Sequence, residues 1–475
     1  MKMIDKKTTF GVLVGTRGFF NPALVSEQRE KILSKIHTMG YQSVILDVSE
    51  TPNGAVETLS DATKYARLFS ANRDKIDGVI VILPNFGDEL GIVQSLSLSK
   101  LDVPVLVQAC NDEIDKVDVK SRRDAFCGKL SVCNNLYQYG IKFTDTSFHT
   151  MDIDSDDFAS DMDRFARICR TVKGLKNARI GAIGARPAPF QTTRYSEKLL
   201  QATGITVVTV DLSEIIGNSL KFDSEANEVK EKLKAIQNYG NIPKSINPAN
   251  ILKQARLSVA IDNWMAENEC EASAIQCWTS IQNNYGCATC LSMSMMGENL
   301  LPSACETDVA GAVSMYTLLL ASGKSPGFLD WNNNFGKDPD MCVCTHCSNY
   351  PKSFMGQDIE ISNLDILGET IGREKCFGAI KGHVVKGPLT YFRISTDDTK
   401  GKIKSYLGQG EFTDDEFNMD GGIAVCKIQN LQKLMKHLCQ EGFEHHVAMV
   451  RGSWATVIDE AVSKYLSWDL YHHEA

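Results

Sequence analysis

A chain of 475 residues is too long for one ordinary hydrophobic core, so two to four domains are expected. Its 43% hydrophobic and 23% charged residues give the balance of an ordinary globular protein. The net charge of −9, without a dense Lys/Arg block, argues against a nucleic-acid surface, and no apolar run is long enough to span a bilayer. The 15 cysteines, scattered and odd in number, read as reduced thiols. The first residues lead into a strand-like run and lack the apolar core and cleavage site of a signal peptide, so the expected address is cytoplasmic.

The spacing predicts a strand over 10–14, a loop over 15–21 and an amphipathic helix over 22–39 that Gly40 ends. Strands over 43–47, 78–83 and 103–108 follow, with a helix over 62–71 between the first two. This alternation means right-handed βαβ units on a parallel sheet, a Rossmann-like domain over 1–145. Gly15-Thr16-Arg17-Gly18 follows the first strand, where such sheets hold ligands, but lacks the Gly-x-Gly-x-x-Gly spacing of a dinucleotide site. Arg17 is placed to anchor a substrate oxygen, although a loop arginine is commonly just solvated.

An Asp/Ser/Thr-rich link over 144–163 leads to a second α/β domain over 146–335. Its predicted elements are a helix over 158–175, a strand over 179–183, the loop from Gly184 to Gln191, a helix over 195–202 and a strand over 205–210. Helices over 224–237 and 248–267 precede a short strand over 274–277. Glu306 and Asp308 then stand just before an apolar helix over 309–320, which Gly323 and Pro326 stop. The strand Gly327-Phe328-Leu329 ends at Asp330. A carboxylate opening a helix and one ending the next strand meet above the same sheet edge, where open α/β sheets place their ligands. Such a pair suits a divalent cation, or acid and base on opposite sides of a substrate. The simpler alternative is that Glu306 caps the helix and Asp330 merely ends the strand.

Beyond Asp340, short strands over 379–386, 389–394, 403–408 and 421–428 suggest an antiparallel barrel or sandwich, and a mainly antiparallel β-barrel over 336–475 is the expected form. A helix over 431–440, a strand over 446–450 and a closing helix over 455–466 complete it. Neighbours on a strand face opposite ways, so one of His445 and His446 is expected to face a site. An imidazole beside two carboxylates makes an N/O set typical of Mn²⁺ and related divalent ions. Cys342-Val343-Cys344-Thr345-His346-Cys347 is superficially like a zinc knuckle, but Cys287 and Cys290, the nearest second pair, fall in a predicted core helix. His472 and His473 are expected in a disordered tail. Neither a Gly-x-Ser-x-Gly nor a Walker pattern occurs, which disfavours serine hydrolase, kinase and ATPase chemistry.

The run from Cys305 to Met315, with Gly323 to Asp330 after it, resembles the metal-binding segment of the L-fucose isomerase and L-arabinose isomerase superfamily, in its fucose-isomerase-like branch. Gly184 to Phe190, Ile275 to Trp278, Thr345 to Cys347 and His445 to Gly452 agree with it, as does the three-domain layout. The resemblance implies an intramolecular aldose–ketose isomerase using a divalent metal, usually Mn²⁺. It implies Glu306 and Asp330, 24 residues apart, as carboxylate ligands and His446 as the imidazole ligand, with His445 the fallback. Glu306 is then the principal base and Asp330 its partner.

Arg17 is similar in place to an arginine that reaches a neighbouring subunit's site, which implies a homo-oligomer, commonly a trimer or hexamer. Around the sugar the resemblance implies Arg186, Phe190, Gln191 and Trp278, with His445. His346 lies near another histidine ligand of arabinose isomerases and is assigned to pocket lining. The chain is shorter than typical fucose isomerases, and Trp278-Thr279 replaces a more polar pairing. The substrate is therefore left among deoxy-sugars, pentoses and sulfonated hexoses such as sulfoquinovose, which would become sulfofructose. A non-catalytic sugar sensor and a metal-dependent lyase or epimerase are the competing readings; chelation and product analysis separate them.

Overall fold

In the computed structural model, which describes residues 3–346, 349–356 and 359–474, the chain forms two units. One comprises Met1–Gly174 with Glu460–Leu466, the other Leu175–Asp459 with Ser467–Ala475.

The first unit is built on the parallel strands Thr9–Val14, Gln42–Val44, Gly78–Leu83, Val105–Ala109 and Thr144–Asp145. Gln42–Val44 lies at one edge, followed by Thr9–Val14, Gly78–Leu83, Val105–Ala109 and Thr144–Asp145. This is the doubly wound order of flavodoxin-type sheets. Thr9–Val14 and Gly78–Leu83 are buried throughout, which is why they read as continuous apolar runs without alternation. The helix Ala125–Gln138 escapes the sequence reading because Phe126, Leu130 and Tyr137 lie on its exposed side and blur the apolar period. The expected closing helix is split into an α-helical Ala455–Asp459 and a π-helical Glu460–Tyr465. In the latter, the Tyr465 and Thr144 hydroxyls lie 2.8 Å apart, and Glu460 pairs with Arg164 at 2.9 Å.

The second unit holds a four-stranded parallel sheet in the order Thr206–Val210, Arg179–Ile183, Ala272–Ile275 and Ser303–Ala304. It also holds an antiparallel ring. Gly422–Lys427, Met341–His346, Gly327–Asn334, His446–Arg451, Gly387–Asp397 and Lys402–Phe412 pair in succession, and Phe412 opposite Cys426 closes the circle. The chain thus has the expected fold class, parallel α/β layers followed by a mainly antiparallel barrel. The helix Val309–Ser322 is buried at every position and packs on Ala272–Ile275, Gly387–Asp397 and His446–Arg451, so its uniformly apolar sequence serves contacts on all sides. Among the described residues no helix is long and apolar enough to cross a membrane.

Two local expectations change. Met341–His346 is a strand, on which Cys342 and Cys344 sit two apart with their sulfurs 3.9 Å from each other; Cys347 of the knuckle-like pattern lies outside the described residues. The tail is ordered. Asp469–His473 pairs in parallel with Lys402–Phe412, His473 Nε2 lies 2.9 Å from the Gln429 carbonyl, and His472 Nδ1 lies 2.8 Å from Asp459. A short polar run gains strand structure here from a partner remote in sequence, which no local pattern reveals.

Asp459 holds the His472 imidazole above its ordinary range. A raised folded value means that this stabilisation is complete below pH ~6.5 and fades as the pH climbs through the folded value. At pH 5.5, His472→Gln is therefore expected to lower the opening free energy of Asp469–His473, read by hydrogen exchange, by about 0.5 kcal/mol. At pH 9 wild type and variant should match.

Candidate functional site

Between Ser303–Ala304 and Val309–Ser322 the backbone makes an unusual turn. Glu306 and Thr307 both take left-handed conformations, with φ of 53° and 55°. Such a conformation costs about 1–2 kcal/mol for a residue with a Cβ, so two in succession persist only where their surroundings over-determine them. Asp308 caps the helix by accepting from the Gly311 N–H at 2.8 Å, which leaves Glu306 free to turn elsewhere. Gly311 also permits the close approach of helix and barrel, since a Cβ there would lie 2.4 Å from the Phe328 ring. Asp330 does not end its strand. Gly327–Asn334 continues past it through an irregularity between Trp331 and Asn333.

Strand register does the next part of the assembly. Asp330 is paired directly with His446 on one side and with Thr345 on the other, so His346 is one residue along. His446 Nε2 lies 3.6 Å from Glu306 Oε2 and 3.5 Å from Asp330 Oδ1. His346 Nε2 lies 3.4 Å and 3.9 Å from the same two oxygens. His445 Nε2 also comes within 3.9 Å of Asp330 Oδ1, from a more open position. The expectation that only one of the adjacent histidines faces the site fails because the strand begins at His446, leaving His445 outside the alternation.

Trp278 Nε1 donates to Glu306 Oε1 at 3.1 Å, but Glu306 Oε2 and Asp330 Oδ1 are buried without a hydrogen-bond partner. Buried carboxylate oxygens are rarely left so, and a cation between them would satisfy both. Ligand atoms of Glu306, His346 and His446 lie within 4.8 Å of one another, so these residues can hold a divalent ion. Burial pushes the Glu306 carboxyl up, but His346, His446 and the Trp278 N–H outweigh it and hold it at about 2. Burial pulls the His346 imidazole down, while Asp330 and Glu306 hold it at about 9. A proton on His346 and a cation in the cluster are alternatives, so a cation held there would displace that proton.

Behind His446 stands a network the sequence reading did not assign. His446 Nδ1 lies 2.8 Å from Asp308 Oδ2. Arg393 donates to both Asp308 oxygens, at 2.6 and 3.1 Å, and its Nε is 3.4 Å from Glu444 Oε2. Ser395 Oγ donates to Glu444 Oε1 at 2.8 Å. Burial pushes the Asp308 carboxyl up, yet Arg393 and His446 hold it far below the carboxylate range. A carboxylate on Nδ1 keeps the proton there and turns the Nε2 lone pair toward Glu306 and Asp330. Arg393 left a sequence signal, a lone charge in the mostly apolar run from Leu389 to Ile394. Glu444 left none.

Phe190 covers one side, its ring centroid 5.4 Å from His445, 5.5 Å from His446 and 5.8 Å from Trp278. Arg186 and Gln191 line a neighbouring pocket of about 900 Å³. Arg17 belongs to the first unit, where it pairs with Glu89 and lies 4.4 Å from the Phe86 ring centroid.

Residues 11–176 match the family model described as fucose/sulfoquinovose isomerase, N-terminal domain, and residues 344–473 match L-fucose isomerase, C-terminal domain. The sulfoquinovose isomerase of Alkalicoccus urumqiensis is 26% identical over 62% of this chain, an alignment that spans 65% of its own length. That of Priestia aryabhattai is 25% identical over 81% of this chain and 83% of its own. That of Clostridium sp. (strain MSTE9) is 29% identical over 32% and 34%. With matches to both an N-terminal and a C-terminal domain of one family, and relatives that align across the region between them, the chain belongs to the fucose-isomerase-like superfamily of aldose–ketose isomerases.

Proposed function

We propose that the protein is a divalent-cation-dependent isomerase that converts an aldose to its 2-ketose, with sulfoquinovose as the first candidate substrate and L-fucose or D-arabinose types next. The relatives' names support the sulfonated sugar. The observation that carries the reading is the convergence of Glu306, Asp330, His346 and His446 around two buried, unpartnered carboxylate oxygens. In this reading the carboxylates come from a domain over 146–335 and the imidazoles from one over 336–475. The N/O donor set suits Mn²⁺. When bound there, the cation supplies Lewis-acid stabilisation of negative charge building on the sugar oxygens.

The chain's own groups divide the proton work. The Glu306 carboxylate takes the proton leaving C2 and returns it to C1, while Trp278 holds its Oε1 in place. Asp330 serves the hydroxyl proton that passes between O2 and O1. Phe190 and Trp278 limit water at the exchanging proton, and His445 meets the sugar from the open side. Asp308 fixes the tautomer and direction of His446. Arg17 of a neighbouring subunit, in a trimer or hexamer, orients the far end of the sugar.

Sulfoquinovose, L-fucose, D-arabinose, L-arabinose and L-rhamnose, each followed by NMR in D₂O with Mn²⁺, test the reaction. One is expected to give a ketose, to stop with EDTA, and to slow by about 10²–10⁴-fold in Glu306→Gln with cation still bound. Full turnover in that variant contradicts the assignment. Asp308→Asn removes the closer of the two carboxylates facing the buried Arg393 charge and leaves only Glu444, at 3.4 Å. It is expected to cost ~3–5 kcal/mol in denaturant unfolding and to weaken cation binding by about 10–100-fold.

A further inference from the structure

Two thiols and a carboxylate meet at the C-terminal edge of the parallel sheet in the second unit. Ala272–Ile275 and Ser303–Ala304 are neighbours, with Ala274 opposite Ala304, so the residues just past each strand come together above the sheet. Those residues include Cys277 and Cys305, with Glu306 following. Ligand atoms of all three lie within 4.8 Å of one another, and all three residues are buried. The frame around them is fixed. The Gln282 side chain donates to the Cys277 carbonyl at 2.6 Å, and the Thr307 N–H donates to the Ile275 carbonyl at 3.2 Å.

Buried thiols commonly act as small apolar groups, and Cys277 and Cys305 do pack in an apolar core of this unit. A carboxylate in contact with both adds a third donor, and with it the minimum of a cation site. Burial pushes the Cys277 thiol up to about 11, so it is protonated and unreactive while no cation holds it. The donors differ in kind from those of the histidine cluster. Nitrogen and oxygen ligands suit Mn²⁺, whereas thiolates select softer ions such as zinc and cadmium. Two sulfurs and a carboxylate oxygen make three protein ligands, the number at which zinc keeps a fourth position open. Among the described residues, Glu306 is the one member that this group shares with the cluster of His346 and His446. A carboxylate drawn to a cation between the thiols leaves that cluster short of a ligand.

We propose that Cys277, Cys305 and Glu306 form a second cation site, selective for thiophilic divalent ions of the zinc and cadmium type, which holds Glu306 away from the histidine cluster. Each thiol gives its proton to solvent as its sulfur–metal bond forms, and the carboxylate joins as third ligand. A thiophilic ion in the histidine cluster reaches this site through the shared carboxylate, and once there it weakens Mn²⁺ binding. That it thereby slows turnover rests on the isomerase reading; the binding itself does not.

The test titrates the full, reduced chain with Cd²⁺ and reads thiolate-to-cadmium charge-transfer absorbance and cadmium NMR. Wild type is expected to show the absorbance band and a resonance typical of two sulfur ligands. Cys277→Ala and Cys305→Ala, with unchanged near-ultraviolet circular dichroism, should each weaken this binding by at least about tenfold, a change of ~1.4 kcal/mol, whereas His446→Gln should leave it within about twofold. Glu306→Gln takes away the oxygen ligand and should shift the resonance, which covers the case of misfolded cysteine variants. Bound Cd²⁺ should also weaken Mn²⁺ binding to wild type by at least about tenfold. No band, a resonance from nitrogen and oxygen ligands alone, or a resonance unmoved in Glu306→Gln overturns the proposal. So does a band that persists in both cysteine variants, which then belongs to other thiols such as the exposed Cys127 and Cys439. Unchanged Mn²⁺ affinity with Cd²⁺ bound overturns the coupling. A chain that neither binds Mn²⁺ nor turns over a sugar contradicts the isomerase reading and leaves the Cd²⁺ results as they stand.

Discussion

The buried pair of Asp308 and Arg393 is the contact on which the site's geometry depends. Asp308 serves three partners at once: the Gly311 N–H at the start of the central helix, the Arg393 guanidinium from the barrel, and the His446 imidazole that faces the cluster. Both charges are fully buried, and a buried ion pair is often no more stabilising than an apolar replacement. Its consequence here is positional. The pair locks the N-terminus of Val309–Ser322 against Gly387–Asp397 and fixes one tautomer on His446.

That lock explains how Glu306 comes to carry an unpartnered oxygen. With the cap supplied by Asp308, the residues before the helix are held in left-handed backbone, and Glu306 projects toward the barrel without closing the helix end. The barrel brings the other half by register: Asp330 opposite His446, with His346 one position beyond the Asp330–Thr345 pair. Four side chains from a turn and three strands meet because a parallel sheet and an antiparallel ring share one fully buried helix. Strain in the turn and missing partners at the carboxylates fall in the same place, as expected where stability is given up for chemistry.

Much of this was legible in the sequence. The alternating α/β rhythm and the short strands beyond Asp340 reveal the fold class, because burial on two faces and on one face leave different apolar patterns. Glu306 and Asp330 are visible through their positions around an apolar helix. What stayed hidden depends on contacts remote along the chain. Asp308 looks like any helix cap, and indeed is one; its second role needs Arg393, which is 85 residues away. His346 sits in a strand whose sequence is superficially like a zinc knuckle, and its approach to Glu306 follows from a barrel register that no local pattern carries. The tail strand needs Lys402–Phe412 beside it.

The central claim is that one cation is held jointly by residues on both sides of the central helix. Equilibrium Mn²⁺ binding, followed by water-proton relaxation on wild type, His346→Gln and His446→Gln, tests it most directly. The account predicts one ion per chain in wild type and a loss of at least about tenfold in affinity in each variant. Wild-type affinity in either variant, or no stoichiometric binding to the wild-type chain, would contradict it.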